Sequence, residues 1–293
     1  SASADAPLPR PDTGSMFDVF DPALVADPYP ALAGLRSRSP VHRVPGTDVH
    51  LVSSWDLVQE VLGAPGTYSS NLRSVLLRRP DGTATSLPMD GGGTIEQVLA
   101  TADDPTHKVH RTAVLSTIGR RIRALESSVT GQVDRLWSAH FSGTCADWAV
   151  DMADRLPLNL VAELIGLAPD DVPDLLRWAY ESTEMLGGWV DEARLDATVR
   201  ASFALHEYLA ARFEEALDRP GDDLMGELAL AVQLGELEVG TAVLVLLQLV
   251  GAGGESTAGL LGTAAHRLAT DRCLQNRRSE EHTSELQSHS FIS

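Results

Sequence analysis

The sequence predicts a mainly α-helical domain with a small antiparallel β element. Three observations predict it. From about residue 104 to residue 269, apolar residues recur at helical spacing almost without interruption. Before that stretch, Val41 to Val44 and His50 to Val52 read as two short strands split by a Pro45-Gly46 turn. There is no internal repeat, and no second composition regime until the last residues.

In chain order, residues 1–16 are small, polar and Pro-punctuated, and predict a flexible lead-in. They lack the basic start and apolar run of a signal peptide. Asp21 to Ser39 carries two Asp-Pro steps and predicts a turn, then a short amphipathic helix ended by Pro40. After the hairpin, Ser54 is placed to cap a helix of Leu57, Val58, Val61 and Leu62, which Gly63 and Pro65 stop. Residues 66–103 are rich in Gly, Ser, Thr and Pro, including Pro80-Asp81-Gly82 and Asp90-Gly91-Gly92-Gly93. They read as a long loop, and such loops inside a domain are usually functional or mobile.

Beyond the loop, Ile122, Leu125, Val129, Val133 and Leu136 predict one helix, and Leu158, Val161, Ala162 and Ile165 another that Gly166 stops. Asp170 and Asp171 suit the positive end of the next helix. Arg194 to Leu217 predicts a longer helix closed by Pro220-Gly221, followed by a short one. Val239 to Ala269 is the longest apolar helical pattern. Its most apolar run, Val243 to Ala252 with Gln248 inside it, is half the length of about 20 residues that a bilayer span needs, so it predicts a buried helix.

Composition narrows the partners. The chain has 23 Lys+Arg against 41 Asp+Glu, a formal charge of −18. That acidity argues against nucleic acid and anionic membrane as partners. Two cysteines, Cys145 and Cys273, exclude a disulfide framework and a four-cysteine zinc site, and reduced thiols in the cytoplasm are expected. His42, His50, His140, His206 and His266 are isolated, without the second ligand a metal site needs, so no metal ligand is predicted.

Two motifs carry chemistry. Pro105 suits the first turn of a helix, which places His107 and Arg111 four apart on one face as a clamp for an anion. A solvated basic face is the plain alternative. The second motif is Gly251 to Gly259, where glycines, an acid and hydroxyls interrupt the apolar helical pattern. Glycine costs about 1 kcal/mol there. Small residues such as Ala252 and Gly253 let a ligand approach the backbone, and Glu255 beside Ser256 and Thr257 offers proton transfer. A rival reading takes Gly254-Glu255-Ser256-Thr257-Ala258 as the nucleophile elbow of a serine esterase. It would require a strand before Ser256, and only Asp271, His282 and His289 remain downstream for a triad.

On these residues the chain resembles the N-terminal two-thirds of a bacterial cytochrome P-450, a haem-thiolate monooxygenase, from about Phe17 to Asn276. Asp27-Pro28-Tyr29-Pro30 is similar to that family's first helix, Val41 to Val52 to its first hairpin, and Tyr68-Ser69-Ser70 to the start of its substrate loop. Asp104-Pro105-x-His107-x-x-x-Arg111 resembles the motif that binds the haem propionates. Leu156-Pro157 through Asp171 resembles the E-to-F helix junction, and Ala252 to Thr257 the oxygen-activation motif of helix I.

The resemblance implies a truncated P-450 fold, helix A to just past helix I over residues 17–277, with haem b as cofactor and O2 as co-substrate. It makes His107, Arg111, Ala252 and Gly253 cofactor-binding, and Glu255, Ser256 and Thr257 catalytic through proton delivery. Ser256 stands where the family usually has Thr, which loses a methyl that restricts the rotamer. A small apolar organic substrate, bound by residues 71–100 and 180–195 with Leu76, Leu77, Leu87 and Met89, and electrons from a ferredoxin or flavin reductase are implied as well. The family's E-x-x-R pair and the Gly-rich loop with the iron-ligating Cys are not found, so the metal ligand is missing and the chain is expected to be inactive. Residues 278–293 have no apolar period and are expected to be a non-native or disordered tail, similar to a translated sequencing adapter.

Overall fold

The computed structural model describes residues 17–279 apart from 142, 144 and 188–190. The expected lead-in, residues 1–16, and positions 280–293 of the expected tail lie outside the described residues. Two Asp-Pro steps start two helices rather than one: α1 (Pro22–Ala26) and α2 (Pro28–Arg38). Asp21 caps the first by accepting the Ala23 N–H at 2.9 Å. The amphipathic character expected here is not found. Only Leu35 of α2 is buried, and Tyr29 stands 78% exposed.

Strands β1 (Val41–Arg43) and β2 (His50–Val52) pair antiparallel as expected, Val41 opposite Val52, around Gly46 at φ +78°. Helix α3 (Trp55–Gly63) follows, and Ser54 occupies its N-cap position without making a side-chain cap bond.

The stretch expected to be a long loop holds a second hairpin, β3 (Ser74–Arg78) and β4 (Ala84–Pro88). Its turn contains Gly82 at φ +85°, and Asp81 Oδ1 accepts from the Thr83 N–H at 2.9 Å and hydroxyl at 2.6 Å. Those two bonds, chiefly, hold the Asp81 carboxyl below its ordinary range. Val75, Leu77 and Leu87, with Leu72 and Met89, pack on Met185 and Leu195. The apolar partners lie far along the chain, so the local pattern does not announce the strands.

The remainder is helical: α4 (Thr106–His140), a π turn (Ala149–Ala153), α5 (Arg155–Ile165), α6 (Val172–Glu184), α7 (Glu192–Asp218), α8 (Leu224–Gln233) and α9 (Val239–Thr270). Residues 272–279 are helical again, so Arg278 and Ser279 of the expected tail continue a regular element. Gly166 ends α5 at φ +98°, where any Cβ would collide with the Asp223 carboxylate. Asp223 is itself occupied in capping α8 through the Gly226 N–H at 2.7 Å. Asp171 does not cap α6; its Oδ2 takes the Tyr208 hydroxyl at 2.7 Å.

One core joins these helices. Leu158 and Ile165 of α5, Leu175 of α6, Leu205, Leu209 and Phe213 of α7, Leu228 of α8 and Leu246 of α9 are all at most 1% exposed. Each such side chain contributes roughly 1.5–3 kcal/mol of transfer free energy. By length and composition α9 could cross a membrane. Its residues 241–250 are instead buried or half-buried against this core, which fits the buried helix expected from the sequence.

Candidate functional site

The residues that matter lie where the segment ahead of α4 meets α9. Residues 96–103 form a strap across the first half of α9. Thr241 donates its hydroxyl to Glu96 Oε1 at 2.6 Å, Gln248 Oε1 accepts the Ala100 N–H at 3.2 Å, and Gln248 Nε2 donates to Thr101 Oγ1 at 3.2 Å. Gln248 is the polar residue inside the most apolar run of the sequence. Its amide satisfies a backbone donor that has no helical partner.

The strap is tied in turn to the chain before the second hairpin. Asp103 accepts the Ser69 hydroxyl at 2.6 Å and the Ser70 N–H at 2.8 Å, and these bonds hold its carboxyl below the usual range. Asn71 Nδ2 donates to Thr101 O at 2.7 Å.

Helix α4 leaves the strap carrying His107 and Arg111 on one face, as the spacing predicts. Arg111 is exposed and has no ion-pair partner among the described residues. His107 Nδ1 stands 3.6 Å from Asp104 Oδ1, too long for a hydrogen bond. Arg111 is therefore open to an anion, while His107 already stands beside a carboxylate. The neighbouring His110 is different: it is 5% exposed and its Nδ1 accepts the Leu99 N–H at 3.3 Å. Burial pushes its imidazole below the ordinary histidine range, opposed by the Glu96 carboxylate. Its role was not legible in the sequence, where it is one more polar residue of a basic helix face.

In α9 the motif residues divide by face. Gly254 and Ala258 are buried, while Ala252, Glu255, Ser256 and Thr257 are exposed on other sides of the helix. The glycines have a packing reason. A Cβ at position 253 would lie 2.5 Å from Val161 Cγ2 of α5, one at 254 would lie 3.6 Å from Leu158, and one at 251 would lie 3.4 Å from Thr183 of α6. Gly253 thus lets α5 approach, a requirement separate from the space for a ligand that the sequence suggested.

Ser256 donates its hydroxyl to the Ala252 carbonyl at 2.9 Å, one turn back. The Thr257 hydroxyl is exposed and has no hydrogen-bond partner among the described residues. Near Glu255, Tyr180 of α6 donates to Asp154 Oδ1 at 3.3 Å. Burial, then the charges of Asp154 and Glu255, push this phenol well above its ordinary pKa. Farther along, the Trp148 indole donates to the Leu261 carbonyl of α9 at 3.2 Å.

The esterase reading is corrected here. A nucleophile elbow needs a strand, a sharp turn and a helix, whereas α9 is continuous through Gly254 to Ala258. His282 and His289 lie outside the described residues. Among the described residues no three His, Cys, Asp or Glu side chains could hold a metal ion, and Cys145 and Cys273 are both exposed. A groove of about 640 Å³ between the α5–α6 turn and the end of α7, lined by Arg212, Glu215, Asp218 and Arg219, includes none of the expected site residues.

The start of α4 thus presents exposed Arg111, with His107 beside Asp104, and α9 presents an exposed run of small and hydroxyl-bearing residues.

No protein-family model matches the chain. It is 42% identical over 259 residues, 88% of its length, to Cytochrome P450 144 of Mycobacterium tuberculosis, of which it covers 60%. It is 28% identical over 264 residues to the Vitamin D(3) 25-hydroxylase of Pseudonocardia autotrophica, covering 60% of that protein. Among solved structures, CYP109E1 of Bacillus megaterium in complex with testosterone superposes with a TM-score of 0.73 at 22% identity, over 88% of this chain and 64% of that one. PksS of Bacillus subtilis gives 0.71 at 22% identity, over 91% and 66%. The chain spans about 60% of the length of the curated relatives it matches.

Proposed function

Because the chain belongs to the cytochrome P450 family, we propose that it carries the haem-facing, oxygen-activating half of a monooxygenase that inserts one atom of O2 into a small apolar organic substrate. One observation carries the proposal. The bonds of Gln248 tie Ala100 and Thr101, just ahead of α4, to α9 one turn before Ala252, and Arg111 on α4 and Glu255, Ser256 and Thr257 on α9 are exposed.

In this reading His107 and Arg111 hold the haem propionates, with Arg111 offering a planar fork to a carboxylate. Haem, when bound, supplies O2 binding and the oxidation chemistry. The chain's own residues handle protons. Glu255, exposed to solvent, collects a proton and passes it toward the hydroxyls of Ser256 and Thr257. Ser256 spends its own proton on the Ala252 carbonyl and so presents lone pairs outward, ready to receive. Thr257 keeps its donor free and shares the task.

The substrate end is assigned to the second hairpin and the α6–α7 junction. Leu77, Leu87 and Met89, expected from the sequence, join Leu72, Val75, Met185 and Leu195 in one apolar cluster. Leu76 falls on the other face of its strand, by the alternation of β3, and is outside that cluster. Electrons would come from a ferredoxin or flavin reductase, and a cytoplasmic location fits two unpaired thiols.

Without a thiolate in a Gly-rich loop, the 293 residues alone are proposed not to complete the reaction. The test is to add haem to the purified chain, reduce it and record the CO-difference spectrum. Weak haem uptake without a thiolate-type band is the expected result. A thiolate-type band would overturn the proposed incompetence, and haem uptake unchanged in Arg111→Ala would overturn the propionate assignment.

A further inference from the structure

Where the strap passes over α4, one imidazole carries part of its backbone. The Leu99 N–H opens the short 3-10 turn Leu99–Thr101 and so has no partner within that turn. It donates instead to His110 Nδ1 at 3.3 Å, and His110 is only 5% exposed. Leu99 also sits at φ +42°, the one non-glycine in the left-handed region among the described residues, so its backbone is held in a conformation that local preference disfavours. A ring nitrogen that accepts must be unprotonated. Once it takes up a proton, both ring nitrogens are donors, and Nδ1 confronts the Leu99 N–H as a second donor.

The groups around the ring do not replace that acceptor. Glu96 of the strap and His107, one turn earlier on α4, are the charges that act on the imidazole, and they act in opposite directions. Glu96 is bound to the Thr241 hydroxyl of α9 at 2.6 Å. Asp103 is taken up by Ser69 and Ser70, and Asp104 lies beside His107. Lys108 and Arg111 are exposed, and the α9 residues bound to the strap, Thr241 and Gln248, are uncharged. Farther along α4, Glu163 of α5 is bound to Ser128 and Glu227 of α8 to Arg120. Burial is the largest influence on the ring, and it disfavours the charged form while the strap is closed.

We propose that the strap is a latch released by acid: a proton on His110 Nδ1 removes the acceptor of the Leu99 N–H, Leu99 leaves its left-handed conformation, and residues 98–101 lift from α4. Because Thr101 is bound to both Asn71 and Gln248, the opening also unties the root of the second hairpin from α9. The open strap, with its ring in water, binds the proton more readily than the closed one, so falling pH favours opening below about pH 6.5. The latch needs no cofactor and stands or falls apart from the function proposed above.

The experiment is backbone-amide hydrogen exchange of the full chain, read by NMR from about pH 7.5 to 5 with the intrinsic pH dependence of exchange divided out. Protection of the Leu99 and Ala100 amides is expected to fall by up to about tenfold per pH unit below about 6.5, while Leu209 in the core of α7 keeps its protection. His110→Gln offers an amide oxygen that accepts but does not titrate, so the fall should flatten. Constant protection at Leu99 and Ala100, an equal fall at Leu209, or the same fall in His110→Gln would overturn the latch. Should His110→Gln fail to fold, nitrogen NMR of the His110 ring in the unaltered chain decides. Protonation of Nδ1 with its midpoint at the loss of Leu99 protection supports the latch, and a protonated ring beneath a protected Leu99 amide overturns it.

Discussion

The two halves of α9 are made of similar residues and live in different surroundings. From Thr241 to Val250 the helix is buried or half-buried at every position, walled by α5 to α8 and by the strap of residues 96–103. From Gly251 to Thr270 only Gly254 and Ala258 are buried, and Leu260 stands 67% exposed. Apolar character therefore does not tell the halves apart. Glycine does, because it is absent from 241–250 and recurs from Gly251 onward, where Gly253 admits Val161 of α5 on one side while another side stays open.

The sharpest way to break the comparison is to truncate one leucine in each half. Leu246→Ala empties a fully buried site and is expected to cost about 2–5 kcal/mol. Leu260→Ala on the open face is expected to change stability by no more than about 0.5 kcal/mol. Urea unfolding of both variants checks the contrast, and equal losses would dissolve it.

Gly253 tests the boundary between the halves. Gly253→Val drives a side chain into Val161 and is expected to cost about 1–3 kcal/mol. Adding Val161→Ala clears the obstruction, so the double variant should unfold at a higher urea concentration than Gly253→Val alone. A double variant at least as unstable as the sum of the singles would show that the glycine is not there to admit α5.

The smallest expected effect is a pH dependence of the walled half. His110, buried beneath the strap, has its folded pKa lowered below the ordinary 6.5. The unfolded chain then binds the proton first as pH falls, so its contribution is intact above about pH 6.5 and is lost progressively below it. Urea midpoints of the chain and of His110→Gln, compared across about pH 8 to 5, should show a shallower acid loss in the variant. Equal slopes would assign the dependence to other groups.

Much of this was legible in residues. The apolar recurrence from Leu158 to Ile165 and from Val239 onward marks helices because periodicity is a local property. His107 and Arg111 were legible for the same reason, being four apart on one helix. What local text does not carry is pairing at a distance. The second hairpin gains its apolar cover from Met185 and Leu195, and Gln248 looks like an interruption until Ala100 and Thr101 are placed beside it. Gly253 suggested room for a ligand, and Val161, which explains it structurally, lies far away in sequence. Tyr180 and Asp154 gave no signal, since a lone phenol and a lone acid are ordinary on helices.

The strap also has a mechanical meaning. Ser69 and Ser70 grip Asp103, Asn71 grips Thr101, and Thr101 with Ala100 grips Gln248, so a run of short bonds joins the root of the second hairpin to α9 one turn ahead of Ala252. Such a run behaves as a strut. Because α9 runs unbroken from Gln248 into the open turn, a displacement of the hairpin's root is expected to reach that turn through the most firmly seated stretch of the long helix.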